Sequence, residues 1–328
     1  LTVTGRAAGL VAVAASAAIA LSLTGVALVT RAGATSTLHN ASAGTEIAGA
    51  FAGASAPVLP DVSGMPGQIS ALRSRPWAHR CHADSALAAA LAPLERQATG
   101  RFAVAVADRD TGVAASFHGR EPFHTASIVK ALVLAALLLQ QQQGHLAPGY
   151  SDGVLAAEMI EDSDNDAATD LWDAVGGSSG MAAAVSELGL HRTVPGPSDW
   201  WGLTSTTAGD QVRLLADLTS PSSPLGPASR ADELRLMRQI EPGQDWGVTA
   251  AADRTSDPAV KDGWLPDASD DGLWVINSVG VIRHDGHELL MAVLSAGQPS
   301  EGEGIFQVES VARAAASAIT RAGSQSCT

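Results

Sequence analysis

Residues 127–139, Ser127-Ile128-Val129-Lys130-Ala131-Leu132-Val133-Leu134-Ala135-Ala136-Leu137-Leu138-Leu139, put a hydroxyl and an amine one turn apart at the head of a very apolar helix. A helix with that composition is buried. Ser and Lys at i and i+3 lie on one face, roughly 5–6 Å apart at Cβ, so the amine can reach the hydroxyl. Burial lowers the lysine pKa toward neutrality, and a neutral amine can accept the serine proton. The helix N-terminus adds a positive field where an alkoxide and then an oxyanion would develop. Alone, Ser-x-x-Lys is common, and a helix-capping Ser beside a surface Lys is the ordinary alternative.

Two further segments change that weighting. Ser163-Asp164-Asn165 sits inside a helical pattern after Met159-Ile160-Glu161-Asp162, and Lys261-Asp262-Gly263 opens a strand pattern. In order and context the three segments match the S-x-x-K, S-D-N and K-T-G set of class A β-lactamases and penicillin-binding proteins. From Ser85 to near Arg321 the chain resembles a serine hydrolase of that family, of the actinobacterial type. The resemblance implies that Ser127 is acylated, that Lys130 is its general base and that Ser163 relays a proton to the leaving nitrogen. It further implies that Asn165 holds a substrate amide and that Lys261 lends positive charge to Ser163 and to a substrate carboxylate. Gly263 would allow close approach of the strand backbone, and the backbone N–H groups of Ser127 and Trp264 would form the oxyanion hole. Asp164 is expected to tie the helical lobe together. The implied substrate is a β-lactam or a D-amino-acid peptide-like small molecule, with no cofactor and no metal.

The surrounding pattern fits that architecture. A helix from Asp84 or Ser85 to about Gln97 precedes strands at Phe102–Ala107 and Ala114–His118. Residues 126–240 are helical, with breaks at Gly144, Gly176-Gly177 and Pro195–Pro197. Strands return at Ala259–Leu265, Leu273–Arg283 and Glu288–Ser295, before an Ala-rich helix from Phe306 to Arg321. Strands from both chain ends enclosing a helical middle predict an α+β fold of the β-lactamase/transpeptidase type. It would be an antiparallel five-stranded sheet flanked by helices, with an inserted all-helical lobe at about 126–245 and a cleft between the lobes. The aromatics near Trp246 and Trp274 read as core.

Three departures qualify the resemblance. The loop Thr193-Val194-Pro195-Gly196-Pro197-Ser198-Asp199-Trp200-Trp201 before the Thr204–Thr207 run lacks the Glu that activates the deacylating water in class A enzymes, and Asp199 is its only carboxylate. Asp262 stands where the family has a hydroxyl that binds a substrate carboxylate, so it either repels that group or turns away to pair with a cation. The segment from Lys130 to Ser163 is short, which opens one side of the cleft to larger substrates. These features leave three readings: a β-lactamase-like hydrolase, a D,D-peptidase or penicillin-binding acyltransferase with slow deacylation, and a non-catalytic envelope protein on a retired scaffold.

Composition bounds the remainder. A net charge of −14 repels phosphate backbones and argues against nucleic acid. The uncharged run Ala7–Thr30, as a helix about 36 Å long, would cross a bilayer, so residues 1–34 read as a signal peptide or membrane anchor. That segment contains no Cys for lipidation. Residues 35–76, rich in Ala, Gly, Ser and Pro, read as a linker, and residues 77–328 as the folded, monomeric domain. Export makes Cys81 and Cys327 disulfide candidates, closing a loop worth on the order of 5 kcal/mol. Three patterns are set aside. Gly176–Gly180 satisfies G-x-S-x-G but follows a helix, so Ser178 or Ser179 is taken as a cap. Asp162–Asp173 lacks the Gly and Glu of a calcium loop. None of the nine His residues forms an H-x-H or H-E-x-x-H pattern.

Overall fold

The computed structural model describes residues 83–324. The apolar segment at residues 7–30, the linker and both cysteines lie outside them. Among the described residues no helix is long and apolar enough to cross a membrane.

The chain runs α1 (Ala83–Glu95), β1 (Arg101–Asp108), β2 (Val113–Phe117) and β3 (Phe123–His124) into a 3₁₀ turn at Ala126–Ile128 that leads directly into α2 (Val129–Gln142). Helices α3 (Tyr150–Glu161), α4 (Asn165–Ala174) and α5 (Gly177–Glu187) follow, then the short strand β4 (Ser205–Thr206), α6 (Ala208–Thr219) and α7 (Pro227–Met237). Strands β5 (Ala259–Asp267), β6 (Leu273–His284) and β7 (His287–Gln298) and helix α8 (Glu301–Ser324) complete the chain. The main sheet has the order β2-β1-β7-β6-β5 with antiparallel pairing throughout. This is the five-stranded sheet with an inserted helical lobe that the sequence predicts.

The sheet separates two cores, and strand alternation assigns each side chain to one of them. On β1, Ala103, Ala105 and Ala107 face the helical lobe, while Phe102, Val104 and Val106 face α1 and α8. On the lobe side the small residues of β1 pack against α6, and on the other side its larger residues pack with α8. Helix α2 lies inside the first core, with every residue from Val129 to Leu137 buried. Its lack of a polar face follows from its neighbours α3, α4, α5 and α7, which surround it.

Two elements differ in extent from the sequence reading. The last helix begins at Glu301, five residues before Phe306, because Ser300 caps its first turn by accepting from Glu303 N–H (3.2 Å). Ser163 lies in the turn between α3 and α4 instead of within a helix, with φ +57°. Asp164 is the N-cap of α4 and accepts from Ala167 N–H at 2.7 Å. In the G-x-S-x-G segment the cap is Gly176, in a left-handed conformation. Ser178 instead donates to the Gly196 carbonyl and thereby holds the 193–204 loop.

Candidate active site

The site forms where the 3₁₀ turn before α2, the α3–α4 turn and the edge strand β5 converge. Ser127 lies in that 3₁₀ turn, half-buried, and Lys130 is in the first turn of α2, fully buried. Ala126, immediately before Ser127, has φ +48°. A left-handed non-glycine residue costs on the order of 1 kcal/mol or more and persists only where packing enforces it. Here the enforcing contacts come from Asn277 on β6. Its Nδ2 donates to the carbonyls of His124 (2.8 Å) and Thr125 (2.9 Å), and its Oδ1 accepts from Ser295 N–H (3.1 Å).

Asn277 is a site residue that the sequence reading missed. Its signal was present: an Asn in the buried run Val275–Gly280, at a position whose strand parity points it toward the lobe. Replacing it by Ala removes all three of these buried hydrogen bonds, which join β6 and β7 to the segment before Ser127. The variant is expected to lose about 3 kcal/mol, read as a fall of roughly 6–12 °C in thermal midpoint.

Lys130 Nζ makes three hydrogen bonds, to the Ser163 carbonyl, to Ser163 Oγ (3.1 Å) and to Asn165 Oδ1 (2.9 Å). The S-x-x-K and S-D-N segments therefore meet at one amine. Burial, then the charge of Lys261, lowers its pKa from 10.5 to about 7, against an opposing pull from Asp164. Lys261, on β5, is also buried and donates to the Asp262 carbonyl at 3.3 Å. Burial lowers its pKa to about 8, with the Asp262 charge opposing.

Gly263 is where β5 meets the nucleophile turn. A Cβ built on it would lie 2.6 Å from both Ser127 N and Ile128 N and 3.0 Å from the Thr125 carbonyl. All three are backbone atoms, so no side chain can swing aside. Gly263→Ala must displace either the strand or the turn that presents Ser127. Because about 1 Å of misplacement costs on the order of 100-fold in rate, Ser127 labelling in this variant is expected to slow by about that factor.

Strand parity sends the next residues the other way. Asp262 is buried, facing the Ser278 hydroxyl and the backbone at Trp246–Gly247, and neither carboxylate oxygen completes a hydrogen bond. Burial raises its pKa well above the ordinary carboxylate range, with Ser278 and Lys261 opposing. Of the two alternatives raised by the sequence, the carboxylate turns away, though it forms no ion pair. Trp264 packs edge-on against Trp246 at 5.9 Å, within the second core, so any role in the cleft falls to its backbone.

The loop between α5 and α6 covers Lys130. Thr193 donates to Asp210 (2.8 Å), Gly196 N–H donates to Thr204 Oγ1 (3.0 Å), and Trp172 Nε1–H donates to the Ser198 carbonyl (3.0 Å). Asp199 is exposed. The Trp201 ring lies over Lys130 Nζ, 5.0 Å from its centroid.

Away from the cleft, ligand atoms of Asp108, Asp110 and His287 lie within 4.8 Å of one another. Asp108 accepts from Asp110 N–H (2.9 Å), Thr111 N–H (3.1 Å) and His287 Nδ1 (3.0 Å), while Asp110 accepts from Glu288 N–H (2.8 Å). These bonds clamp the β1 turn to the start of β7.

The geometry agrees with relationships found by comparison. A curated relative, "Putative lipoprotein LppW" of Mycobacterium tuberculosis and Mycobacterium bovis, is 29% identical over 223 residues, covering 63% of this chain and 68% of the relative. Among solved structures, PBP-A is similar with a TM-score of 0.63 at 21% identity, over 72% of this chain and 96% of that one. A point mutant of PBP-A, solved as an acyl-enzyme complex with penicillin-G, superposes with the same TM-score. The ancestral class A β-lactamase GNCA matches with a TM-score of 0.60 at 24% identity, over 70% of this chain and 98% of that one. At these identities the structural matches establish the β-lactamase/transpeptidase-like fold. The profile of the Beta-lactamase enzyme family matches residues 86–150 and 148–322, most of the described chain, and the protein therefore belongs to the Beta-lactamase enzyme family.

Proposed function

We propose that this protein is a serine acyltransferase-hydrolase that opens a β-lactam or D-amino-acid amide by forming an acyl-enzyme at Ser127, and that it deacylates slowly. The observation that carries this reading is Lys130: a buried amine, one turn from Ser127, bonded to Ser163 and Asn165 and held near pKa 7. A structural lysine is seldom buried in this way, and such a shift is typical of a general base.

In the forward step neutral Lys130 takes the Ser127 proton as Oγ bonds to the amide carbon. The oxyanion is met by the backbone N–H groups of Ser127 and Trp264. As the C–N bond breaks, the proton passes from Lys130 through the Ser163 hydroxyl to the leaving nitrogen, which returns Lys130 to neutrality. Asn165 uses its side-chain N–H for the substrate amide, since its oxygen already accepts from Lys130. Lys261 supplies the positive charge facing this path. Hydrolysis of the ester needs a base to activate water, and the loop over Lys130 brings an indole there and no carboxylate. That observation favours the slow-deacylating, penicillin-binding reading over rapid turnover.

The relative's name, together with the apolar run Ala7–Thr30, supports a location outside the cytoplasmic membrane, tethered or released at the N-terminus. The decisive experiment incubates the protein with labelled penicillin and follows adduct mass over time, with Ser127→Ala as control. A persistent adduct on Ser127 is expected. A transient one indicates a β-lactamase, and none under any tested condition points to a non-catalytic role.

A further inference from the structure

The indole over Lys130 is fixed in place by the site itself. Trp201 Nε1–H donates to Thr169 Oγ1 (3.1 Å), and the Thr169 hydroxyl donates to the Asn165 carbonyl (2.9 Å). Asn165 is also the residue whose side chain accepts from Lys130. On the other side, Thr125 donates to the Gly202 carbonyl (3.3 Å). A Cβ on Gly202 would stand 3.9 Å from the Ala126 Cα. The ring is thus tied through one neighbour to α4 and through the other to the nucleophile turn, and it cannot leave Lys130 without breaking bonds inside the site.

We infer that Trp201 is a positioning residue that caps Lys130, keeping bulk water from the amine before acylation and from the Ser127 ester afterwards. The second half of this inference rests on the acyl-enzyme reading above, and the first does not.

A cap of this kind acts on the amine in two opposite ways. The ring face attracts an ammonium and so favours the charged form, while exclusion of water disfavours it. The charged groups facing the amine are Lys261 from β5, which disfavours the ammonium, and Asp164 from the α3–α4 turn, which favours it. Desolvation by burial is the largest of the influences on Lys130, and the ring is one of the groups that stand between the amine and bulk water. An indole donates one N–H and accepts no proton, and that N–H is already committed to Thr169. The ring therefore has no means of activating a water, and it fills the space from which one would be delivered.

Trp201→Ala, Trp201→Leu and Trp201→Phe, made in the full chain, separate the cap from its alternatives. The Lys130 side-chain Cε shift, followed by NMR against pH without substrate, reads the amine directly. Adduct mass with labelled penicillin reads the lifetime of the ester. In Trp201→Ala the Lys130 midpoint is expected to rise by about one pH unit or more as water reaches the amine, and the adduct to decay about tenfold faster or more. Trp201→Phe should keep both values near those of the parent. Trp201→Leu, which stays apolar without a ring face, should keep the midpoint at or below the parent's. If Trp201→Ala unfolds, Leu and Phe still decide: a Leu midpoint close to that of Phe supports the barrier, and one more than about a pH unit below it means that the ring acts through its electrons, which overturns the cap. An unchanged midpoint in a folded Ala variant overturns the cap. A parent chain that gives no adduct overturns the ester half together with the acyl-enzyme reading, and the titration then judges the cap alone.

Discussion

Lys130→Met is expected to slow acylation of Ser127 by penicillin about 10²–10⁴-fold, the usual worth of a positioned general base, and to remove the acid limb of the pH profile. In the parent protein that profile should be a bell. Below about pH 7 Lys130 is protonated and cannot take the Ser127 proton, while above about pH 8 Lys261 loses the positive charge that faces the relay. The two limbs are properties of the pair, because the charge of Lys261 is itself one reason Lys130 is depressed. The measurement is the second-order rate of adduct formation between about pH 5.5 and 9.5, a window spanning both titrations by more than a unit. A rate that is flat across this window would remove Lys130 from the mechanism. Methionine fills the same buried volume, and loss of the amine's three hydrogen bonds is offset by loss of its desolvation cost. The variant should therefore remain folded, which circular dichroism checks.

The second large effect is on stability. Glu233 on α7 is fully buried, and neither of its carboxylate oxygens has a hydrogen-bond partner. Burial pushes its pKa well above 4.5. Between 4.5 and that raised value the folded protein holds a proton that the unfolded chain has released, so stability falls as pH rises. The contribution is fully present below pH 4.5 and declines by about 1.4 kcal/mol per pH unit above it. Glu233→Leu removes this dependence and the unpaired polar group together. Its advantage over the parent is expected to be smallest near pH 4.5 and to widen as pH rises. Urea unfolding of both proteins at several pH values measures it. A gap that does not widen with pH would show the carboxylate to be ionised or paired in the fold.

Much of the chemistry could be read from sequence because it is local. Ser127 and Lys130 are one helical turn apart, and that spacing alone predicts a shared face. Asp164 as the cap of α4 was not read, because the segment 159–165 shows a continuous helical pattern and the break at Ser163 appears only in the fold. Asp262 turning from the cleft was also within reach, since a strand that points Lys261 to one face must point its neighbour to the other. Less accessible was Asn277, whose importance lies in two carbonyls more than a hundred residues earlier in the chain. Nothing in the spacing of the loop 193–204 places an indole, as opposed to a carboxylate, over the amine.

The order of strands and helices, the apolar character of α2 and the shared face of Ser127 and Lys130 were determined by the sequence itself, through periodicity and short-range spacing, while Ser163, Asn165 and Lys261 were implied by the resemblance of their segments to the family's motifs. Whether those groups meet, how dry Lys130 is and what stands over it were decided only by tertiary structure. The reason is physical: a pKa and a water barrier depend on everything packed around a group. For Lys130 those neighbours come from α2, α4, β5 and a loop that are adjacent in space and remote along the chain.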